Sequence, residues 1–157
     1  MKLALIQHRA SSDDEANVQR ALIAVRDAAA SGAQVIAFPE LAFTRFFPQH
    51  RRGERDRFLH SHEIPGPLVR KFQDLAAELG VVIVLNLFER DGDRTFDSSP
   101  VIDSDGRLLG VTRMMHITHY EGFWEQDYYD PGDTGAPVFE TAFGRIGVAI
   151  CYDRHYP

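Results

Sequence analysis

Residues 33–41, Ala33-Gln34-Val35-Ile36-Ala37-Phe38-Pro39-Glu40-Leu41, decide how this chain folds. Val35 to Phe38 is a short apolar run that reads as a strand, and Pro39 closes it because proline brings no backbone N–H to a ladder. Upstream, Val18, Ala21, Leu22, Val25, Ala28 and Ala29 recur at helical spacing, and Gly32 follows where a left-handed cap suits a helix end. Ser12 with Glu15 three residues later has the form of a capping box, so the helix is expected to open there. Leu3 to Ile6 before it reads as a buried strand. A strand–helix–strand unit of this kind predicts parallel pairing through a right-handed crossover.

Working outward toward the C-terminus, Pro65-Gly66-Pro67 precedes a second helical stripe, Leu68, Phe72, Leu75, Ala76 and Leu79, which Gly80 ends. Val81 to Phe88 is nearly continuous apolar sequence, the pattern of one strand covered on both faces. Asp91-Gly92-Asp93 and Asp103-Ser104-Asp105-Gly106 are turn sequences, with Val101-Ile102 and Leu108 to Thr112 as antiparallel strands around the second. Regularity then stops from His116 to Asp133, a stretch dense in aromatic and ionisable residues, and a loop this long in a compact domain usually serves a function. Its aromatic residues Tyr120, Phe123, Trp124 and Tyr128 suggest either a lid over a small ligand or a packing surface between subunits. Val138 to Thr141 and Ile146 to Ile150 are two more strand candidates, with Gly144 at the turn between them. The fold class expected is α/β, a mixed sheet with helices on one face.

Composition narrows the function. Of 157 residues, 44% are hydrophobic and 11% aromatic, enough for a core, and the net charge of −6 without a basic stripe argues against nucleic acid or an anionic membrane as partner. Arg51, Arg52, Arg55 and Arg57 are interleaved with Glu54 and Asp56 and read as a solvated face. The N-terminal apolar run is too short for a signal peptide and nothing reaches the length of a membrane span, so a cytoplasmic location is expected. One cysteine permits neither an internal disulfide nor a thiol cluster for zinc. His60 with His62, and His116 with His119, lack an accompanying carboxylate at firm spacing, so no metal is expected.

Cys151 follows the apolar run Ile146-Gly147-Val148-Ala149-Ile150, which places the thiol at the C-terminal end of a strand, the edge where open α/β sheets bind ligands. A helix after it would lower the thiol pKa through its N-terminal amides and aim the Tyr152 N–H at an oxyanion. Most cysteines simply pack, however. Glu40 changes that weighing, because it ends a different strand and faces the same sheet edge. A partly buried glutamate can take a proton from a thiol and return it to a leaving amine.

Phe38-Pro39-Glu40-Leu41 followed by Gly144-Arg145-Ile146-Gly147-Val148-Ala149-Ile150-Cys151-Tyr152-Asp153 resembles the nitrilase superfamily of amidases and carbamoylases. The segment from Met115-His116-Ile117 through Glu121-Gly122-Phe123-Trp124-Glu125 to Pro131-Gly132-Asp133 is similar to that family's loop before the nucleophile. The resemblance implies the first part of a four-layer α-β-β-α sandwich, oligomerisation, and hydrolysis of a non-peptide C–N bond in a small amide, carbamoyl compound or nitrile. It also implies a thioester-type acyl-enzyme and no cofactor. Glu40 would be the base, Cys151 the nucleophile and Glu125 an assisting carboxylate.

One position departs from the resemblance. The family's catalytic lysine falls, in Thr112-Arg113-Met114-Met115-His116-Ile117, on Met114. A thioether offers no N–H and no charge to an oxyanion, and losing one such donor costs about 3–4 kcal/mol. On a continuing strand Thr112 and His116 share the side of Met114, which makes His116 the stand-in donor, while a one-residue slip would bring in Arg113 instead. Family chains are also longer, so this one is expected to be an incomplete single domain, 1–157, that leaves an apolar sheet face and a strand edge uncovered. The alternative is a catalytically silent subunit for binding or assembly.

Overall fold

A computed structural model describes residues 1–157. The strand–helix–strand unit is β1 (Leu3–Leu5), α1 (Asp14–Ala30) and β2 (Val35–Ala37), and β1 and β2 pair in parallel. The helix opens one residue later than the capping box suggests. Asp13 is the N-cap, its side chain accepting from the Ala16 N–H at 3.0 Å. At the other end Gly32 has φ +85°, and its N–H donates to the Ala29 carbonyl at 2.8 Å, the left-handed closure expected there.

Helix α2 (Pro67–Leu79) starts at its proline and ends on left-handed Gly80, after which β3 (Val82–Val84) pairs in parallel with β2. The continuous strand expected over 81–88 is broken. β3 stops at Val84, and β4 (Leu87–Asp91) begins beyond Asn86 as an edge strand on β5 (Arg94–Ile102). β5 is far longer than the Val101-Ile102 core that the sequence offers, and it lies antiparallel to β3, β4 and β6 (Leu108–Arg113). Its residues 95–102 are buried on both faces. That double burial removes the alternation by which a strand is recognised.

Side chains of the sheet alternate between two environments, as the period of two requires. Ile36, Ile83 and Ile102 join α1 and α2 residues Val18, Ala21, Val25, Val69, Phe72 and Leu75 in the main core. The other face carries Ala37, Val84 and Val101, against which Phe139, Ile146 and Val148 pack. Those last residues belong to a separate antiparallel hairpin, β7 (Val138–Thr141) and β8 (Gly144–Gly147), which shares no ladder with the six-stranded sheet. The layers therefore run helices, sheet, hairpin. Strand β8 ends at Gly147, three residues earlier than expected, and 148–150 continue without a ladder.

The N-terminal strand is not buried as expected. Leu3 and Leu5 point to the hairpin face and are 52% and 69% exposed. No helix is long and apolar enough to cross a membrane.

Candidate active site

Glu40 sits just beyond the C-terminal end of β2, in a turn fastened at several points. Leu41 takes a left-handed conformation at φ +48°, which a non-glycine residue adopts only when its surroundings enforce it. The enforcing group is Asn86, whose Oδ1 accepts the Leu41 N–H at 2.6 Å. Phe43 in the same turn packs on Phe38 and Phe72, and its carbonyl accepts from the buried amide of Asn17 on α1 at 3.0 Å. The break between β3 and β4 thus has a purpose: it frees Asn86 to hold the turn that carries Glu40. On its other side Asn86 donates to Asp97 at 2.6 Å and to the Ser99 hydroxyl at 3.1 Å.

Cys151 arrives from the hairpin layer rather than from the sheet that carries Glu40, which corrects the expected shared rim. It has φ +46° and opens a five-residue 3-10 turn, Cys151–His155. Asp153 in that turn accepts the backbone N–H of His116 at 2.9 Å and of Met115 at 3.2 Å, tying the turn to the exit of β6. The Tyr152 N–H has no acceptor within the protein, so it stands available as a donor.

Despite their different layers, the Cys151 sulfur and carboxylate oxygens of Glu40 and Glu125 all lie within 4.8 Å of one another. Glu125 is fully buried, and Thr118 holds its Oε2 through the backbone N–H at 3.1 Å and the hydroxyl at 2.6 Å. Asp97, also fully buried, adds a third carboxyl beside Glu40. Tyr129 completes the group with a buried hydroxyl that has no partner.

No lysine or arginine offsets the burial of these groups, and burial dominates their electrostatics. Burial pushes the Asp97 carboxyl well above its usual range, and neighbouring Glu40 pushes it further. Burial likewise raises Glu125. The Cys151 thiol is pushed up to about 12, first by burial and then by the negative charge of Glu40. This reverses the lowered thiol pKa expected from a following helix, because a single 3-10 turn offers little dipole and two carboxylates oppose it.

The stand-in donors can now be placed. Met114 is fully buried, and the β5–β6 register of Ser98 with Arg113 makes it the cross-strand neighbour of Asp97, on the face that looks toward the site. Arg113 points the other way and pairs with Glu89, Asp91 and Asp133 at 2.6, 2.9 and 2.9 Å, which excludes the slipped reading. His116 is engaged through one ring nitrogen. Its Nδ1 lies 2.7 Å from Asp153 and its ring stacks on Tyr156 at 3.7 Å.

A cavity of about 440 Å³ opens beside the cluster, walled by Leu3, Leu5, Val84, Ile146 and Val148, with Glu40 and Cys151 among its lining residues. None of Tyr120, Phe123, Trp124 or Tyr128 lines it, so the aromatic lid expected from the loop is not formed over this cavity. Tyr128 instead packs with Leu41, Phe88 and Tyr129 behind the Glu40 turn. The other histidines are dispersed, His60 on Asp14 and His119 on Arg51. Sequence reasoning missed Asn86, Asp97, Thr118 and Tyr129. For Asp97 the available signal was a carboxylate in Asp97-Ser98-Ser99, directly before the apolar pair Val101-Ile102.

A family model described as carbon-nitrogen hydrolase matches residues 2–157. The chain belongs to the carbon-nitrogen hydrolase family. Among relatives of this family, N-carbamoylputrescine amidase of Arabidopsis thaliana is 40% identical over 155 residues, covering 97% of this chain and 50% of that protein. A citrullinase of Francisella tularensis is 30% identical over 157 residues, covering all of this chain and 54% of that one. A crystal structure of a carbon-nitrogen hydrolase from Helicobacter pylori G27 superposes with a TM-score of 0.90 at 26% identity, over 99% of this chain and 53% of that one. This carbon-nitrogen hydrolase chain spans about half the length of the curated relatives it matches.

Proposed function

We propose that the chain carries the nucleophile half of a cysteine-dependent amidohydrolase acting on a small amide or N-carbamoyl compound. The observation that carries this reading is the meeting of Cys151, Glu40 and Glu125 within 4.8 Å beside an apolar cavity. In the proposed reaction the Glu40 carboxylate accepts the Cys151 S–H proton as sulfur attacks the carbonyl carbon. The Tyr152 N–H donates to the oxyanion that forms, in the place where such a donor acts most strongly. Collapse breaks the C–N bond, and Glu40 returns the proton to the departing nitrogen. Water then attacks the thioester with Glu40 as base, releasing the acid and restoring the thiol. Glu125, anchored by Thr118, orients the substrate nitrogen.

A raised thiol pKa supports concerted rather than stepwise deprotonation, since a free thiolate would be scarce beside two carboxylates. The test is ammonia release from N-carbamoylputrescine, citrulline and short aliphatic amides, with Cys151→Ala as control. Release that persists in Cys151→Ala discards the mechanism.

A second reading has its own observation. The lysine position holds fully buried Met114, and the three carboxyls around the thiol have no cation. A folded chain that releases no ammonia from any of these substrates would make this a silent binding or assembly subunit.

A further inference from the structure

We infer that the cluster of Cys151, Glu40 and Glu125 is a binding site for a thiophilic divalent cation such as Zn²⁺, and that cation and acyl substrate exclude each other at the Cys151 sulfur. The inference rests on the same side chains as the proposed function but not on their catalytic roles.

Three candidate ligand atoms, one sulfur and two carboxylate oxygens, lie mutually within 4.8 Å. A tetrahedral zinc site with bonds of about 2.0–2.3 Å needs ligand atoms somewhat closer than that limit, so binding would draw the three side chains together. One soft and two hard donors with a fourth position left for water suit zinc better than calcium or magnesium, which prefer all-oxygen shells.

Independent observations point to a missing positive charge. Oxygens of Glu40, Asp97 and Glu125 are sealed from solvent without a hydrogen-bond partner, and so is the Tyr129 hydroxyl. Asp97 and Glu125 are both 0% exposed. One proton shared between Asp97 and Glu40 can satisfy that pair, yet it leaves the free oxygen of Glu125 unserved. Buried carboxylates are normally paired with a cation or a metal. The supporting shell is already built, with Thr118 orienting Glu125 and Asn86 bracing both Asp97 and the Glu40 turn. An entry path exists through the cavity that Cys151 and Glu40 line.

The histidines considered from sequence take no part, which is why spacing did not reveal the site. Binding replaces the S–H bond by an S–metal bond, and the displaced proton leaves to solvent. A sulfur so engaged cannot attack a carbonyl or an alkylating agent.

The test uses the chain as it stands, titrated with Co²⁺ as a spectroscopic stand-in and then with Zn²⁺. The expected result is a thiolate-to-cobalt charge-transfer band saturating at one equivalent, lost in Cys151→Ser and weakened in Glu125→Gln. Zn²⁺ at about ten times its Kd should slow alkylation of Cys151 by iodoacetamide about tenfold, with EDTA restoring the rate. Met114→Lys places an ammonium beside the cluster and should abolish the band while circular dichroism is retained. Should that variant fail to fold, the Glu125→Gln titration decides.

Absence of the band at saturating Co²⁺, or alkylation indifferent to Zn²⁺, overturns the site. Ammonia release that continues in EDTA alongside such a failure leaves the hydrolase reading intact. A clear band with no turnover in either zinc or EDTA supports the cation site and counts against catalysis.

Discussion

Replacing Glu40 by Gln separates two effects that act in opposite directions on the same sulfur. The Cys151 thiol stands at about 12 against an ordinary 9.0, a difference of 3, so at pH 8 its thiolate is about a thousandfold scarcer than that of an unhindered thiol. Part of this comes from Glu40, one charge within 4.8 Å of the sulfur. Coulomb's law at that separation gives about 1 kcal/mol in water and about 3.5 kcal/mol at an effective dielectric of 20. Both groups are only partly buried, so the screened half of that range applies, roughly a four- to thirtyfold gain in thiolate when the charge is removed. The assay follows iodoacetamide labelling of Cys151 by mass spectrometry from pH 6 to 10, with ammonia release measured in parallel. Glu40→Gln should label faster than the parent at every pH below its own thiol pKa, while amide turnover falls by about a hundred- to ten-thousandfold for want of a base. If labelling slows together with turnover, the carboxylate is drawing the proton off the resting thiol, and the account of the raised pKa is wrong.

Met114→Lys should raise amide turnover about a hundred- to a thousandfold by supplying an oxyanion donor, read as ammonia release with EDTA present; an unchanged rate would show that the methionine is not what limits the chemistry. Asp97→Asn keeps the bond to Asn86 and removes a buried ionisable group. Since the folded chain holds a proton on Asp97 where the unfolded chain has released it, the stability of the parent is fully present below the unfolded pKa and is lost as pH rises through the raised folded value. The variant should accordingly be more stable by about 1–3 kcal/mol at pH 8 and show a flatter profile, and equal pH dependence in urea melts would contradict this. Arg113→Ala strands Glu89, which is 3% exposed, and should cost about 3–5 kcal/mol in thermal or urea unfolding, whereas joint replacement of both by apolar residues should recover most of the loss.

The frame of the molecule was readable because its cues are local. Gly32, Pro67 and Gly80 mark helix ends by backbone geometry alone, and the apolar stripes of α1 and α2 face one core. The misreadings share a cause. Val81 to Phe88 looks like one strand because Leu85 and Leu87 are as apolar as their neighbours, and only the tertiary role of Asn86 explains the break. β5 escaped notice since polar Asp97, Ser98 and Ser99 are buried by partners on other elements. At the site, Glu40, Cys151 and Glu125 meet as the motif order implied. The thiol pKa went the opposite way because it depends first on burial and then on the charge of Glu40, both set by elements far from Cys151 in sequence. The setting of His116 was likewise unreadable, for its Nδ1 meets Asp153 and its ring stacks on Tyr156 across a turn.

The hairpin and the six-stranded sheet share no ladder and meet chiefly through the side chains of Phe139, Ile146 and Val148 on Val84 and Val101, with the Ala142 N–H donating to Asp103 at 3.0 Å and Asp153 accepting from the exit of β6. The sulfur and its acid therefore ride on separate platforms, aligned across a mostly apolar seam that no ladder spans. Modest heat or hydrostatic pressure that wets this seam should misalign them while every helix remains intact, so that reactivity fades at conditions where the far-ultraviolet spectrum has not yet changed.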